Sequence, residues 1–253
     1  MPKLMNSNTF HTTLSNFKFS AVEMEKLGGS EYTIVQILVD ESGSVSSFAN
    51  DLENVLSVVA DSCKKSPRAE NLLIRAASFS SNGRQDNVKE IHGFSLLNSI
   101  DVKNYKGSIN PSGTTPLYDA ALSAVESIDV YGKSLHDQEY LCNGIIFVVT
   151  DGAENASVNN DVKAIKKSID KMKRNEHLES VRTILIGVND SDAGLRAELD
   201  SFKSNAGFDE YISLGDITAG KLAKLAQFVS RSISSTSQAL GSGKVSQPVD
   251  FNI

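Results

Sequence analysis

The chain has 253 residues, of which 40% are hydrophobic and 22% charged, and its formal net charge is −6. This length and composition predict one large α/β domain with extensions, or two small domains. The negative net charge argues against nonspecific nucleic-acid binding, which depends on basic patches.

The predicted elements begin weakly and then alternate between strands and helices. Residues 1–30 form a predicted N-terminal extension, in which Phe17, Phe19 and Val22 fit either a short strand or an apolar clasp. Short apolar runs rich in β-branched residues predict the buried strands, and apolar residues at helical spacing predict the helices. The predicted strands are Thr33–Val39, Leu72–Phe79, Val88–Phe94, Leu141–Thr150, Val181–Val188 and Tyr211–Leu214. The predicted helices cover the apolar faces of 48–59, 117–128, 162–172, 193–202 and about 218–235.

This alternation predicts an α/β fold with a mostly parallel central sheet and helices on both faces. The hairpin formed by the second and third predicted strands would supply one antiparallel edge strand. We expect the main domain to cover residues 31–235. The remaining tail, 236–253, is rich in serine and glycine, which fits either disorder or packing along the domain surface.

The sequence contains no obvious export or membrane signal. Residues 1–19 have no apolar core of signal-peptide length, and no stretch approaches the ~20 apolar residues of a spanning helix. We therefore expect a cytoplasmic protein without membrane association. Cys63 and Cys142 lie outside any CxxC or Cys/His pattern, which disfavours zinc, and we expect both to be buried thiols.

Three short polar segments, far apart in the chain, are each rich in small oxygen ligands. Asp40–Ser44 and Thr150–Gly152 each follow or end an apolar strand, and Gly113–Leu117 precedes a predicted helix. Ligands of open parallel sheets bind outside the carboxyl ends of the strands, so Asp40 and Asp151 would face one crevice if their strands are neighbours. Hard divalent cations such as Mg²⁺ prefer oxygen ligands of this kind.

The order and spacing of these segments resemble the metal-ion-dependent adhesion site (MIDAS) of von Willebrand factor A domains, over about Tyr32 to Ser235. The resemblance implies a Rossmann-like sheet and one bound Mg²⁺ or Mn²⁺. It implies that hydroxyl ligands bind the metal directly and that the aspartates bind it directly or through water. One departure is Thr114, which stands where many members have glycine, so that either Thr114 or Thr115 could be the ligand; we favour Thr115. By motif position the site residues are Asp40, Ser42, Ser44, Thr115 and Asp151.

The charges of the predicted site indicate how it would act. Only Asp40 and Asp151 bring negative charge to a doubly charged cation, so an open coordination position would favour an anionic oxygen. We therefore predict a non-enzymatic protein–protein interaction module that binds a glutamate or aspartate of a partner protein. The cytoplasmic character is similar to that of bacterial and phage members of the family. By resemblance, the partner could be an AAA+ ATPase or an assembly protein.

Other interpretations stay open at this point. Serine, aspartate and Thr-Pro are also ordinary helix-capping residues. Asp40 beside Mg²⁺ could be the nucleophile of a phosphohydrolase or phosphotransferase, although Ser42 stands where such enzymes place a second aspartate. The domain could also be an assembly component of a larger phage or bacterial particle. We expect Glu41 and Glu154 to be solvated loop charges, the alternative being extra ligands or partner contacts.

Overall fold

The structure, a computed structural model, describes residues 7–12, 14, 17–81, 87–158, 160–243 and 247–251. Its centre is an eight-stranded sheet in the order β1-β2-β5-β4-β3-β6-β7-β8. The strands are β1 (Ser7–His11), β2 (Lys18–Val22), β3 (Glu31–Asp40), β4 (Leu72–Phe79), β5 (Val88–Leu96), β6 (Leu141–Thr150), β7 (Ser180–Gly187) and β8 (Glu210–Ser213). The helices are α1 (Ala49–Cys63), α2 (Leu117–His136), α3 (Val162–Arg174), α4 (Ala193–Ala206) and α5 (Ala219–Gly241).

The predicted α/β architecture is confirmed. Strands β4, β3, β6, β7 and β8 are parallel, and β5 pairs with β4 in the antiparallel direction. Because side chains alternate along a strand, Ile34 and Leu38 of β3 pack with α2, α3 and α4 on one face of the sheet. Val35 and Val39 pack with α1 and α5 on the other face. Each face of the sheet is thus buried under helices.

The N-terminal extension continues the sheet. Strands β1 and β2 form an antiparallel hairpin, and β2 lies parallel to β5, with Ala21 opposite Phe94. The backbones approach so closely that a Cβ on Gly93 would lie 2.1 Å from the carbonyl oxygen of Ser20. Phe17 and Phe19 are buried in the core beneath this hairpin. The antiparallel strand β5 is therefore not at the edge of the sheet, because β2 and β1 lie beyond it.

The last helix extends beyond the predicted end at Ser235 and reaches Gly241. The serine-rich sequence hid this extension, because small polar residues at helical spacing do not mark a buried face. Ser237 is nevertheless buried and its Oγ accepts a hydrogen bond from Arg68 Nε at 3.1 Å. Residues 247–251 lie against the domain, where the Phe251 ring contacts Phe228 with centroids 5.3 Å apart. Residues 244–246 and 252–253 of the predicted tail lie outside the described residues.

The sequence also makes predictions about the two cysteines and about a membrane-spanning helix. Cys63 and Cys142 are buried free thiols, as predicted. Among the helices that the structure describes, none combines the length and apolar character needed to cross a bilayer.

Candidate metal centre

The predicted segments meet at one edge of the sheet. Strands β3 and β6 are parallel neighbours, with Val39 opposite Val149, so Asp40 and Asp151 follow at the same carboxyl edge. The segment Gly113–Leu117 joins them, because the Gly43 N–H donates to the carbonyl oxygen of Gly113 at 3.1 Å. Adjacent parallel strands place their carboxyl ends side by side, which is the physical reason for this convergence.

Asp40 is the most buried member of the cluster and is completely inaccessible to solvent. Its Oδ1 accepts the Ser42 N–H at 2.8 Å, and its Oδ2 accepts the Thr150 hydroxyl at 2.6 Å. Burial raises the pKa of the Asp40 carboxyl to about 6, although hydrogen bonds from Thr150 and Ser42 oppose the shift. Thr150 was not among the predicted site residues. The sequence offered one indication of its role, because Thr150 ends the strand β6 directly before Asp151.

A chain of hydrogen bonds links the two serines to Asp151. The hydroxyl oxygens of Ser42 and Ser44 are 2.9 Å apart, and Ser44 Oγ donates to Asp151 Oδ1 at 2.8 Å. Burial also raises the pKa of Asp151, with the Ser44 hydrogen bond opposing the shift. Ser42 is buried and Ser44 is exposed, so the oxygen cluster opens to solvent on the Ser44 side.

Thr115 completes the cluster from the start of α2. A Cβ on Gly152 would lie 3.2 Å from Thr115 Oγ1, so the threonine hydroxyl lies beside the Asp151–Gly152 turn. The backbone of Thr115 pairs reciprocally with Asn155: its N–H donates to Asn155 Oδ1 at 2.8 Å, and the Asn155 N–H donates to its carbonyl at 3.1 Å. Thr114 is exposed, and its backbone pairs with Ser81. Sequence reasoning missed Asn155, which lies beyond the three-segment motif.

The prediction that Glu41 is a solvated loop charge is wrong. Its side chain is only 1% exposed. Its carboxylate accepts a short hydrogen bond from the Ser78 hydroxyl of β4 and lies 3.4 Å from Lys89 Nζ. The neighbouring strands β4 and β5 supply these partners, which could not be inferred from the local sequence. Glu41 therefore supports the strand end beneath the oxygen cluster.

The same prediction is wrong for Glu154, which is half-buried. Its carboxylate accepts the Tyr118 N–H at 2.8 Å, the Ala156 N–H at 2.7 Å and the Ser157 hydroxyl at 2.6 Å. The first turn of a helix has N–H groups without helical partners, and Glu154 satisfies one of them in α2. The loop after β6 and the start of α2, which carry Asp151 and Thr115, are thereby joined into one unit.

The chemistry of these donors fits a hard divalent cation. Two carboxylates and three hydroxyls offer oxygen alone, which matches the preference of Mg²⁺ and Mn²⁺ rather than that of zinc. Within the described part of the chain, no group of three or more His, Cys, Asp and Glu side chains could hold a metal. The oxygen donors are Asp40, Ser42, Ser44, Thr115 and Asp151.

No protein-family model matches the chain, and no curated protein matches its sequence. Solved structures match it in fold. The pilus adhesin SpaC from Lactobacillus rhamnosus GG aligns with a TM-score of 0.58 at 9% identity, covering 92% of this chain and 34% of that chain. The PilB minor pilin from Streptococcus sanguinis aligns with a TM-score of 0.53 at 16% identity, covering 87% and 64%.

A von Willebrand factor type A structure from Catenulispora acidiphila aligns with a TM-score of 0.52 at 12% identity, covering 86% of this chain and 44% of that chain. The chain thus has a von Willebrand factor A-like fold, and the similarity at these identities is one of fold. It spans 34% of the length of the pilus adhesin and 64% of that of the minor pilin.

Proposed function

We propose that this protein is a protein–protein interaction module with a MIDAS that holds Mg²⁺ or Mn²⁺. A glutamate or aspartate of the partner protein would complete the shell of the cation. The observation that carries the proposal is the convergence of oxygen donors at one sheet edge, with Ser44 hydrogen-bonded to Asp151 at 2.8 Å. The proposed ligands are Asp40, Ser42, Ser44, Thr115 and Asp151.

The charge of the site supports carboxylate capture. The two carboxylates formally balance the charge of the cation, and the hydroxyl ligands add no further negative charge. When bound, the cation would supply a positive centre that an acidic side chain of the partner could approach. Gly43, Ser44, Gly113 and Thr114 are exposed around the cluster, and they would form the rim that the partner contacts.

The setting of this interaction is part of the same proposal. We infer a bacterial or phage protein that acts in the cytoplasm with an AAA+ ATPase or an assembly protein as its partner. Similarity of fold to a pilus adhesin and to a minor pilin supports an adhesive or assembly role. It also raises the alternative of an extracellular setting.

We assign no catalytic reaction to the site. Phosphotransferases with an aspartate nucleophile need a general acid nearby, and the residue two positions after Asp40 is Ser42. The wild-type protein with Mg²⁺ should therefore leave a generic aryl phosphate unchanged. Turnover that is lost in Asp40→Asn would contradict a pure binding role.

Calorimetric titration of the EDTA-treated protein with Mg²⁺ and Mn²⁺ tests the metal site directly. We expect a single site in the wild type, and weaker binding in Ser44→Ala because one oxygen donor is removed. Ser47→Ala is the matched control, since Ser47 is an exposed serine of the same turn outside the oxygen cluster. Equal metal affinity in Ser44→Ala and Ser47→Ala would contradict the assignment of Ser44.

The partner interaction is tested separately. The protein is immobilised with Mg²⁺, and bound protein from native lysate is eluted with EDTA and identified by mass spectrometry. The identified partner is then purified, and its acidic residues are replaced one at a time. We expect the affinity between the two proteins to be lost in one of these partner variants. It should be lost equally when Asp40→Ala replaces the wild type and when EDTA is added. Unchanged partner affinity in Asp40→Ala, with and without EDTA, would eliminate carboxylate capture.

Asn155→Ala should weaken metal binding although Asn155 is not a proposed ligand. It removes the acceptor of the Thr115 N–H and so loosens the backbone that aims the threonine hydroxyl, leaving the bond from the backbone N–H of residue 155 to the Thr115 carbonyl. Losing a residue that orients a ligand typically weakens metal affinity about 10–100-fold. The unsatisfied N–H should also lower the free energy of unfolding by about 1–3 kcal/mol. Calorimetry with Mg²⁺ and urea denaturation measure the two effects.

A conservative variant separates orientation from general destabilisation. Asn155→Asp keeps an acceptor oxygen for the Thr115 N–H, so it should retain most of the metal affinity. Asn50→Ala, an exposed asparagine of α1, is the control for loss of an amide elsewhere. If Asn155→Ala and Asn50→Ala bind Mg²⁺ equally well, Asn155 has no orienting role.

A further inference from the structure

A cleft of about 430 Å³ opens beside the oxygen cluster. It lies between the start of α2, the loop after β6 and the helix α4. Its volume falls within the ~300–1,000 Å³ that is usual for ligand sites. The cleft is close to the proposed metal site, because its wall includes Ala153 and Glu154, which directly follow Asp151 and Gly152 in the chain. The residues that define it best are Leu117, Tyr118, Glu154, Val162, Glu198 and Phe202.

The walls of the cleft combine aromatic rings with negative charge. Tyr118 and Phe202 are stacked with ring centroids 5.4 Å apart. Glu154 and Glu198 line the cleft together with Tyr118. Burial and the charges of these two carboxylates raise the pKa of the Tyr118 hydroxyl. Among the described lining residues none is lysine or arginine.

The two carboxylates differ in what they can offer a ligand. Glu154 is held by backbone and hydroxyl donors and contributes a fixed negative charge. Glu198 is exposed on α4, and no residue of the described chain forms an ion pair with it. Its carboxylate is therefore available as an acceptor at the mouth of the cleft.

We propose that this cleft binds an arginine or lysine side chain of the partner protein. The partner is the one whose carboxylate would bind the metal, so this inference rests on the proposed function. A guanidinium stacks on aromatic faces and pairs with carboxylates, and both features are present here. An anionic side chain would be repelled by Glu154 and Glu198. An apolar segment would bury Glu198 without a partner, which is unfavourable.

The position of the cleft constrains the partner. Because Thr115 and Tyr118 are three residues apart in the chain, which spans at most ~11 Å, the acidic and basic residues of the partner should be close together. An extended chain spans up to ~3.6 Å per residue. We therefore expect a partner segment in which the two charged residues are separated by about one to three others. Binding at both points would discriminate against partners that carry an acidic residue alone.

The cleft can be tested without the metal site. Nα-acetyl-arginine methylamide is titrated into the ¹⁵N-labelled full chain in EDTA, with the uncharged citrulline analogue as the ligand control. We expect the amide signals of Tyr118, Glu154 and Phe202 to shift with arginine and to stay in place with citrulline. Glu198→Gln should weaken this binding roughly threefold, as expected for one exposed carboxylate. Asp200→Asn, on the same helix but outside the cleft, should leave it unchanged.

The link between cleft and metal site is tested with acetylated peptides in which about one to three glycines separate an aspartate from an arginine or a citrulline. With Mg²⁺ present, the arginine peptides should bind about threefold to tenfold tighter than the citrulline peptides. Glu198→Gln should reduce that advantage roughly threefold and leave the citrulline peptides unaffected.

The outcomes separate the two proposals. If arginine shifts no cleft signal, or if Glu198→Gln binds it as the wild type does, the cleft inference is overturned. Mg²⁺-dependent binding of the citrulline peptides would in that case still support carboxylate capture. If arginine binds in the cleft while no peptide responds to Mg²⁺, carboxylate capture is overturned, and the joint recognition of one partner falls with it.

Discussion

Asp40→Asn should stabilise the metal-free protein at about pH 7.5 and abolish its stabilisation by Mg²⁺. Burial raises the pKa of this carboxyl from 3.8 to about 6. An acid whose pKa is raised by folding contributes stability below its unfolded pKa, and that contribution is lost as the pH rises through its folded pKa. The ionised Asp40 therefore costs the metal-free protein about 3 kcal/mol at neutral pH.

Asparagine can take the same place without the charge. Its carbonyl oxygen would accept the Ser42 N–H, and its amide group would face Thr150 Oγ1. The Thr150 hydroxyl lies 3.0 Å from the carbonyl oxygen of Gly152, so it can donate there and accept from the new amide. The gain in stability should shrink as the pH falls from about 7.5 through 6 towards 4, where the wild-type carboxyl is protonated in the folded state.

Urea denaturation of both proteins, in EDTA and in Mg²⁺, measures the effect. At a Mg²⁺ concentration of about 100 Kd, the wild type should gain about 2.7 kcal/mol and Asp40→Asn should gain nothing. Asp200→Asn removes an exposed carboxylate and should stay within about 0.5 kcal/mol of the wild type in both conditions. A destabilised Asp40→Asn in EDTA would contradict the inferred cost of the buried charge. Retained Mg²⁺ stabilisation would contradict its role as a ligand.

The second large effect is expected at Arg75, a completely buried residue of β4. Its Nε donates to Glu90 Oε2 at 2.8 Å, and its Nη1 donates to Gln36 Oε1 at 2.5 Å. The guanidinium carbon lies 5.1 Å from the ring centroid of Phe17 and 5.7 Å from that of Phe19. Arg75 thus connects the parallel strands to β5 and to the N-terminal hairpin.

Arg75→Ala should lower the free energy of unfolding by about 3–5 kcal/mol, because Glu90 loses its cationic partner and keeps only the Ser20 donors, while Gln36 Oε1 loses the Arg75 donor. Urea denaturation measures this loss, and hydrogen exchange should show faster exchange in Lys18–Val22. A double variant, Arg75→Met with Glu90→Gln, removes both charges at similar volume and should be much less destabilised. If the single and double variants are equally destabilised, packing rather than the ion pair explains the role of Arg75.

Local sequence pattern was sufficient for the central elements of the fold. The apolar runs Leu72–Phe79 and Leu141–Thr150 are strands with the predicted bounds, because a continuous apolar run of this length fits a buried strand. The gathering of Asp40 and Asp151 was predicted on the condition that their strands are neighbours, since parallel strands end at a common edge. The alternation of strands and helices indicated the parallel sheet, and the adjacency of β3 and β6 is a property of the folded sheet.

Pairings between remote segments were not accessible in the same way. Strand β2 owes its place to β5, where Ala21 lies opposite Phe94, and the weak local pattern of residues 1–30 did not reveal it. The extension of α5 to Gly241 depends on contacts with Arg68, whose guanidinium Nη1 would lie 2.0 Å from a Cβ on Gly241. Small residues such as Ser237 and Gly241 fit at this end of the helix because the Arg68 side chain packs against them.

The sequence by itself determined the α/β class, the positions of the buried strands along the chain and the oxygen-bearing residues at their ends. These features follow from periodicity and turn chemistry, which are local properties. Only the tertiary structure decided that Glu41 is buried beside Ser78, that Asn155 holds Thr115, and that an acidic aromatic cleft adjoins the site. These arrangements depend on which side chains of distant segments meet. The burial and hydrogen bonding of a polar group are set by those partners and not by its neighbours in the chain.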